Sequence, residues 1–82
     1  MKTEELEAAL SDVGAKLKDL RRKKGFNTCD EFSQTFALPR IQYWKMENGK
    51  ANITLKSLLR VLQIHQLSLN DFFCHEVRKA AA

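Results

Sequence analysis

The chain has 82 residues, 44% of them hydrophobic and 29% charged, with three Gly and one Pro, the composition of one small folded domain. It holds no run of about 18 apolar residues to cross a membrane and no charged segment leading into an apolar one at its start, so the expected location is the cytoplasm. Fourteen Lys and Arg against ten Asp and Glu give +4, and a domain of this size buries only about 60% of its unfolded surface, which leaves little room for a substrate cleft and favours a binding module over an enzyme.

Strand signals are missing, and apolar residues recur at helical spacing nearly everywhere, which predicts five helices. Leu6, Leu10, Val13, Leu17 and Leu20 form the stripe of the first, over Thr3 or Glu4 to Lys24. Gly14 interrupts it and Ser11 offers an N-cap, so the alternative is a separate segment 1–10 followed by a helix from Ser11 or Asp12. Residues 1–12 carry one Lys against four acids, a net of −3, which leaves +7 on residues 13–82. A basic domain with an acidic extension over 1–10 points to a polyanionic partner, nucleic acid first. Gly25 closes this helix after the cationic turn Arg21, Arg22, Lys23 and Lys24.

Thr28 and Glu31 form a capping box for the second helix, which should end near Phe36 with Phe32 and Phe36 on one face. Only Ala37 and Leu38 then precede Pro39, read as the first residue of a third helix running to about Asn48 and closed by Gly49. Two short helices joined so tightly make a helix-turn-helix unit. Thr54 caps the fourth, with Leu55, Leu58, Leu59 and Leu62 expected to point inward. Ser68 with Asp71 caps the fifth, whose buried side is read as Leu69, Phe72, Phe73 and Val77.

No catalytic set is visible: there are no paired carboxylates, no Gly-rich phosphate loop and no Ser-His-Asp arrangement. Cys29 and Cys74 lack metal spacing, and His75 beside Cys74 finds no third ligand, so no metal or cofactor is expected. Cys29 lies near a helix N-terminus, an environment that lowers a thiol's pKa and leaves a redox role open beside that of an inert thiol. His65 reads as a partly buried structural histidine.

The order of these parts resembles the phage repressor and Cro-type helix-turn-helix proteins, the XRE family, over residues 13–73. The matching residues are Leu17, Leu20 and Arg21, then Glu31 and Phe32, then Leu38, Tyr43 and Met46. Glu47-Asn48-Gly49-Lys50, Asn52-Ile53-Thr54-Leu55, Leu67-Ser68-Leu69 and Asp71-Phe72-Phe73 complete the pattern. The resemblance implies an all-α, five-helix, lambda-repressor-like DNA-binding domain with an N-terminally extended first helix, the domain itself occupying 11–78 and 79–82 forming a tail. The length and the later half of the chain also resemble the controller proteins of restriction-modification systems. Cys29 departs from the Gln that relatives place at the start of the second helix, and Ala37 stands at the turn position where they carry Gly.

In this fold the third helix enters the major groove of duplex DNA. The resemblance therefore makes Arg40, Ile41, Gln42, Trp44 and Lys45 the candidate base contacts: Arg40 as a two-pronged partner of guanine, Gln42 of adenine or phosphate, Ile41 beside a thymine methyl. Thr28, Cys29, Asn48, Lys50 and Asn52 are the candidate phosphate contacts. Arg21 and Glu47 are implied to pair inside the fold. The expected function is sequence-specific binding of an operator by a homodimer that regulates transcription, as a repressor. The alternative is a protein-interaction module, an antitoxin or adaptor, that uses the outward Ile41 and Trp44. Leu6 and Leu10 are expected to pack against the fifth helix of the same or the partner subunit, near Phe72, Phe73 and Val77.

Overall fold

The computed structural model describes residues 3–73, and every regular element among them is an α-helix. They are α1 (Thr3–Lys23), α2 (Cys29–Thr35), α3 (Arg40–Glu47) and α4 (Leu55–Ile64), followed by α5, described over residues 69–73. The domain is all-α, with a helix-turn-helix unit in α2 and α3. Val77, Cys74 and His75 lie outside the described residues.

α1 runs unbroken through Gly14, so the residues of the acidic extension from Thr3 onward belong to the same helix as the stripe. The reason lies across the interface with α3. A Cβ at Gly14 would overlap the carbonyl of Glu47 and stand 2.8 Å from the carbonyl oxygen of Met46. Glycine is present because two backbones meet there, a benefit that outweighs its cost of about 1 kcal/mol in helix propensity. The buried line of α1 is accordingly Gly14, Leu17 and Arg21, with Leu10, Val13 and Leu20 half-buried beside it and Leu6 exposed.

α1, α2, α3 and α4 all end in the same way. The amide two residues past each cap returns to a carbonyl five residues earlier: Phe26 to Arg21 at 3.1 Å, Leu38 to Ser33 at 2.8 Å, Lys50 to Lys45 at 2.9 Å and Leu67 to Leu62 at 3.0 Å. This closure requires a left-handed residue just before that amide. Gly25 and Gly49 supply it at two ends, whereas Ala37 (φ 56°) and Gln66 (φ 57°) are forced into the same region at the others.

The starts follow the capping residues. Thr28 Oγ1 accepts from the Glu31 amide at 3.1 Å, and Glu31 answers through its carboxylate to the Thr28 hydroxyl at 3.2 Å. Thr54 Oγ1 accepts from the Ser57 amide at 3.1 Å. Ser68 and Asp71 each accept the other's amide, at 3.0 and 3.2 Å. Pro39 differs from the sequence reading: with ψ 116° it is the N-cap of α3 and not its first helical residue. Its extended backbone turns the chain from α2 into α3 while its carbonyl accepts from Tyr43.

Phe32, fully buried, is the centre of the core. Its ring lies 5.4 Å from Phe26, 4.9 Å from Phe36, 5.0 Å from Tyr43 and 5.4 Å from His65, the last stacked within 8° of parallel. Leu17, Leu38, Met46, Leu58, Val61, Leu62 and Phe72 surround this group.

Three expected burials are corrected. α4 turns Leu58, Val61 and Leu62 inward, because Val61 shares a cleft with Tyr43 and Met46 of α3; Leu55 and Leu59 are thereby rotated outward, 63% and 45% exposed. In α5 Phe72 is buried and Phe73 is exposed. Lys16 ties α5 to α1, donating from Nζ to the Phe72 carbonyl at 2.9 Å and lying over both rings.

Candidate nucleic-acid interface

α3 is a short helix with two unlike faces, and what holds its inner face determines what its outer face presents. Tyr43, Met46 and Glu47 point inward. Arg40, Ile41, Trp44 and Lys45 point outward, and Ile41 and Trp44 are 63% and 48% exposed.

The anchor is a buried polar cluster at the C-terminal end of α3. Arg21 Nε donates to Glu47 Oε2 at 2.7 Å and Nη2 to Oε1 at 3.1 Å, while Nη1 reaches the Phe26 carbonyl at 2.9 Å. A planar guanidinium gripping a carboxylate with two nitrogens fixes orientation as well as distance. Burial by itself would raise the Glu47 carboxyl; the hydrogen bonds from Arg21, with Tyr43 and Cys29 beside it, outweigh burial and hold it below its ordinary 4.5. The Tyr43 hydroxyl comes near the same carboxylate without a well-formed hydrogen bond. α1 and α3 are therefore locked at one point by an ion pair and by the backbone contact at Gly14.

Cys29 belongs to this cluster. Its Sγ donates to Glu47 Oε1 at 3.3 Å, so the thiol faces inward and braces the end of α3. Burial, then the bond to Glu47, pushes its pKa up to about 11. Burial and the carboxylate thus act against the helix terminus, and both favour the inert-thiol reading over the redox one. As a phosphate contact Cys29 has only its amide to offer.

The other candidates are placed as follows. Arg40 Nη1 lies 3.5 Å from Asp30 Oδ2, with both side chains about two-thirds exposed; such a pair is worth about 0–1 kcal/mol, so Arg40 is readily exchanged to another acceptor. Gln42 turns toward α4 instead of straight out, its Nε2 donating to Ser57 Oγ at 3.2 Å. Asn48 Nδ2 donates to the Trp44 carbonyl at 2.9 Å, finishing the helix. The Thr28 hydroxyl is engaged by Glu31, and Asp30 and Glu31 fill the first turn of α2. Two carboxylates there would oppose an anion at this helix start, whereas Lys45, Lys50 and Asn52 are all exposed.

Gly14 is the structural residue that sequence reasoning missed. The signal was present, since a glycine inside a strong amphipathic stripe marks a close approach as readily as a break. Arg60 was missed as well: one of its guanidinium nitrogens donates to the Ala37 carbonyl at 2.9 Å and steadies the turn between α2 and α3. No group of three or more potential metal ligands occurs among the described residues, nor does any helix there have the length and apolarity to cross a membrane.

No protein-family model matches the chain, and neither the curated proteins nor the solved structures searched contain a match to it.

Proposed function

We propose that the chain is a helix-turn-helix DNA-binding domain that lays α3 in the major groove of a duplex and regulates transcription as a repressor. The observation that carries this reading is the outer face of α3. Arg40, Ile41, Trp44 and Lys45 stand outward on a helix anchored from below by Arg21 and Glu47, next to the short turn from α2. Arg40 and Lys45 supply hydrogen-bond donors at base edges, Ile41 an apolar contact for a thymine methyl, and Lys50 and Asn52 phosphate contacts beyond the helix end. The resemblance to XRE-type proteins agrees with this docking. A single eight-residue helix reads too few base pairs for useful specificity, so the functional unit is a homodimer whose two α3 helices address half-sites about 34 Å apart.

One observation favours a second reading. Two large apolar side chains side by side on a surface helix also suit a protein partner. Shift of random duplex fragments at increasing salt separates the two. A DNA-binding face loses affinity with a log–log slope of about −0.9 per phosphate contact. Absence of binding at low salt, or an affinity indifferent to salt, sinks the DNA reading in favour of an apolar protein interface.

A further inference from the structure

The start of α2 and the outer face of α3 share one open cleft, lined by Asp30, Arg40, Ile41 and Trp44, all of them exposed. It brings a carboxylate, a guanidinium and two apolar side chains together. Arg40 and Trp44 are four residues apart and Ile41 and Trp44 three, so the three α3 residues occupy neighbouring positions on one helical surface.

The chemistry of these groups limits what the cleft accepts. Asp30 Oδ2 stands 3.5 Å from Arg40 Nη1, and a guanidinium carries five N–H donors in a fixed fork, so Nε and Nη2 can grip a further acceptor pair while that contact holds. The Asp30 carboxylate repels a phosphate from the place next to Arg40, which makes an uncharged acceptor pair the better match. On the major-groove edges of duplex DNA that pair is guanine N7 and O6. Ile41 and Trp44 carry no acceptor, and the apolar group that base edges present in the same groove is the methyl on C5 of a pyrimidine. Gln42, the side chain of this turn suited to adenine, is drawn toward α4 by its bond to Ser57 Oγ.

Side chains three or four positions apart on a helix start about 5–6 Å from one another, against a rise of about 3.4 Å per base. The guanine and the methyl therefore belong to adjacent base pairs. Resting on the reading of α3 as the helix that enters the groove, we propose that this cleft selects a guanine next to a 5-methylpyrimidine, thymine or 5-methylcytosine. Arg40 grips the guanine, Ile41 and Trp44 cover the methyl, and Asp30 is a positioning residue that turns Arg40 from phosphate toward the base.

Selection from a random duplex pool, followed by single-group changes in the selected site, tests it. The expected site holds guanine beside thymine. Deoxyuridine in place of that thymine removes only the methyl and weakens binding about fourfold. 7-Deazaguanine in place of the guanine removes N7 and weakens it about fivefold or more. Cytosine and 5-methylcytosine at the thymine position tell the two methyl sources apart: a gain on methylation admits both, and no gain restricts the cleft to thymine. Arg40→Ala loses the response to 7-deazaguanine and keeps that to deoxyuridine, whereas Ile41→Ala blunts the second and keeps the first. Asp30→Asn binds random duplex more tightly yet discriminates less between guanine and 7-deazaguanine, a combination that damage to the fold does not produce. A selected site without this step, or one indifferent to both base changes, overturns the proposal, while salt-dependent binding of duplex leaves the reading of α3 in place. A chain that binds no duplex at low salt overturns both.

Discussion

Arg21 and Glu47, 26 residues apart in the chain, meet in a two-nitrogen ion pair whose side chains are almost wholly shut off from solvent. Removing one partner leaves the other charged, buried and uncompensated. Glu47→Ala is therefore expected to cost about 3–5 kcal/mol, a large share of the roughly 5–15 kcal/mol that holds a domain together. Urea unfolding measures it. An unchanged midpoint would mean that the pair contributes nothing.

The same carboxyl gives the fold an acid limit. Because Glu47 is held below its ordinary 4.5 in the folded chain, its contribution is complete above that pH and disappears as the pH falls through the lower folded value. Glu47→Gln removes this limb of the stability–pH curve, at a cost in stability at neutral pH. A variant and parent with parallel curves below pH 4.5 would contradict the assignment.

His65 acts in the same direction at higher pH. Burial, then Lys24, lowers its pKa from 6.5, and its Nε2 is buried without a hydrogen-bond partner among the described residues. The unfolded chain takes up the proton first, so stability is full above about 6.5 and declines as the pH drops toward the folded value. His65→Leu keeps an apolar group against Phe32 and abolishes that decline. Melting temperatures at pH 7.5 and 5.5 provide the comparison: a drop of equal size in both proteins defeats the prediction.

Two alanine–glycine exchanges should behave opposite to helix propensity. Gly14→Ala is expected to destabilise by about 3 kcal/mol or more, since the added Cβ meets the α3 backbone and not a yielding side chain. Ala37→Gly should instead stabilise by about 0.5–1 kcal/mol, relieving a left-handed alanine. For a chain of this size that is a rise of roughly 2–8 °C in Tm. A stabilising Gly14→Ala would mean that α1 and α3 are further apart than they stand here.

On DNA, Arg40→Ala should cost about 1–3 kcal/mol on the best site and relax preference at one base pair. Lys50→Ala should weaken all sequences and reduce the salt slope by about 1. Asp30→Asn removes both an acid near phosphate and the surface partner of Arg40, so tighter binding at low salt is expected. Equal losses on specific and random DNA for Arg40→Ala would move that residue to the backbone contacts.

Helix type, helix order and most helix ends were legible in the chain itself. The stripe from Leu10 to Leu20, the Thr28–Glu31, Thr54–Ser57 and Ser68–Asp71 caps, and Gly25 and Gly49 at two helix ends are local features. Their energies depend on residues three to five positions apart, so a linear reading reaches them. The outward set on α3 was likewise legible, because placing Tyr43 and Met46 inward leaves Arg40, Ile41, Trp44 and Lys45 on the other side by helical geometry.

The tertiary structure decided what depends on a neighbour distant in sequence. Gly14 reads as an interruption of the first helix until the carbonyls of α3 are set against it, and Cys29 leaves a redox role open beside that of an inert thiol until Glu47 is placed beside its sulfur. Leu55 and Leu59 fit an inward stripe as well as Leu58 and Leu62 do, since a 100° step per residue allows α4 to rest on either pairing. Only the position of Val61 against Tyr43 and Met46 selects the rotation. Hydrophobic spacing specifies that a helix has an apolar side; which part of that side is buried depends on the shape of the helix it meets.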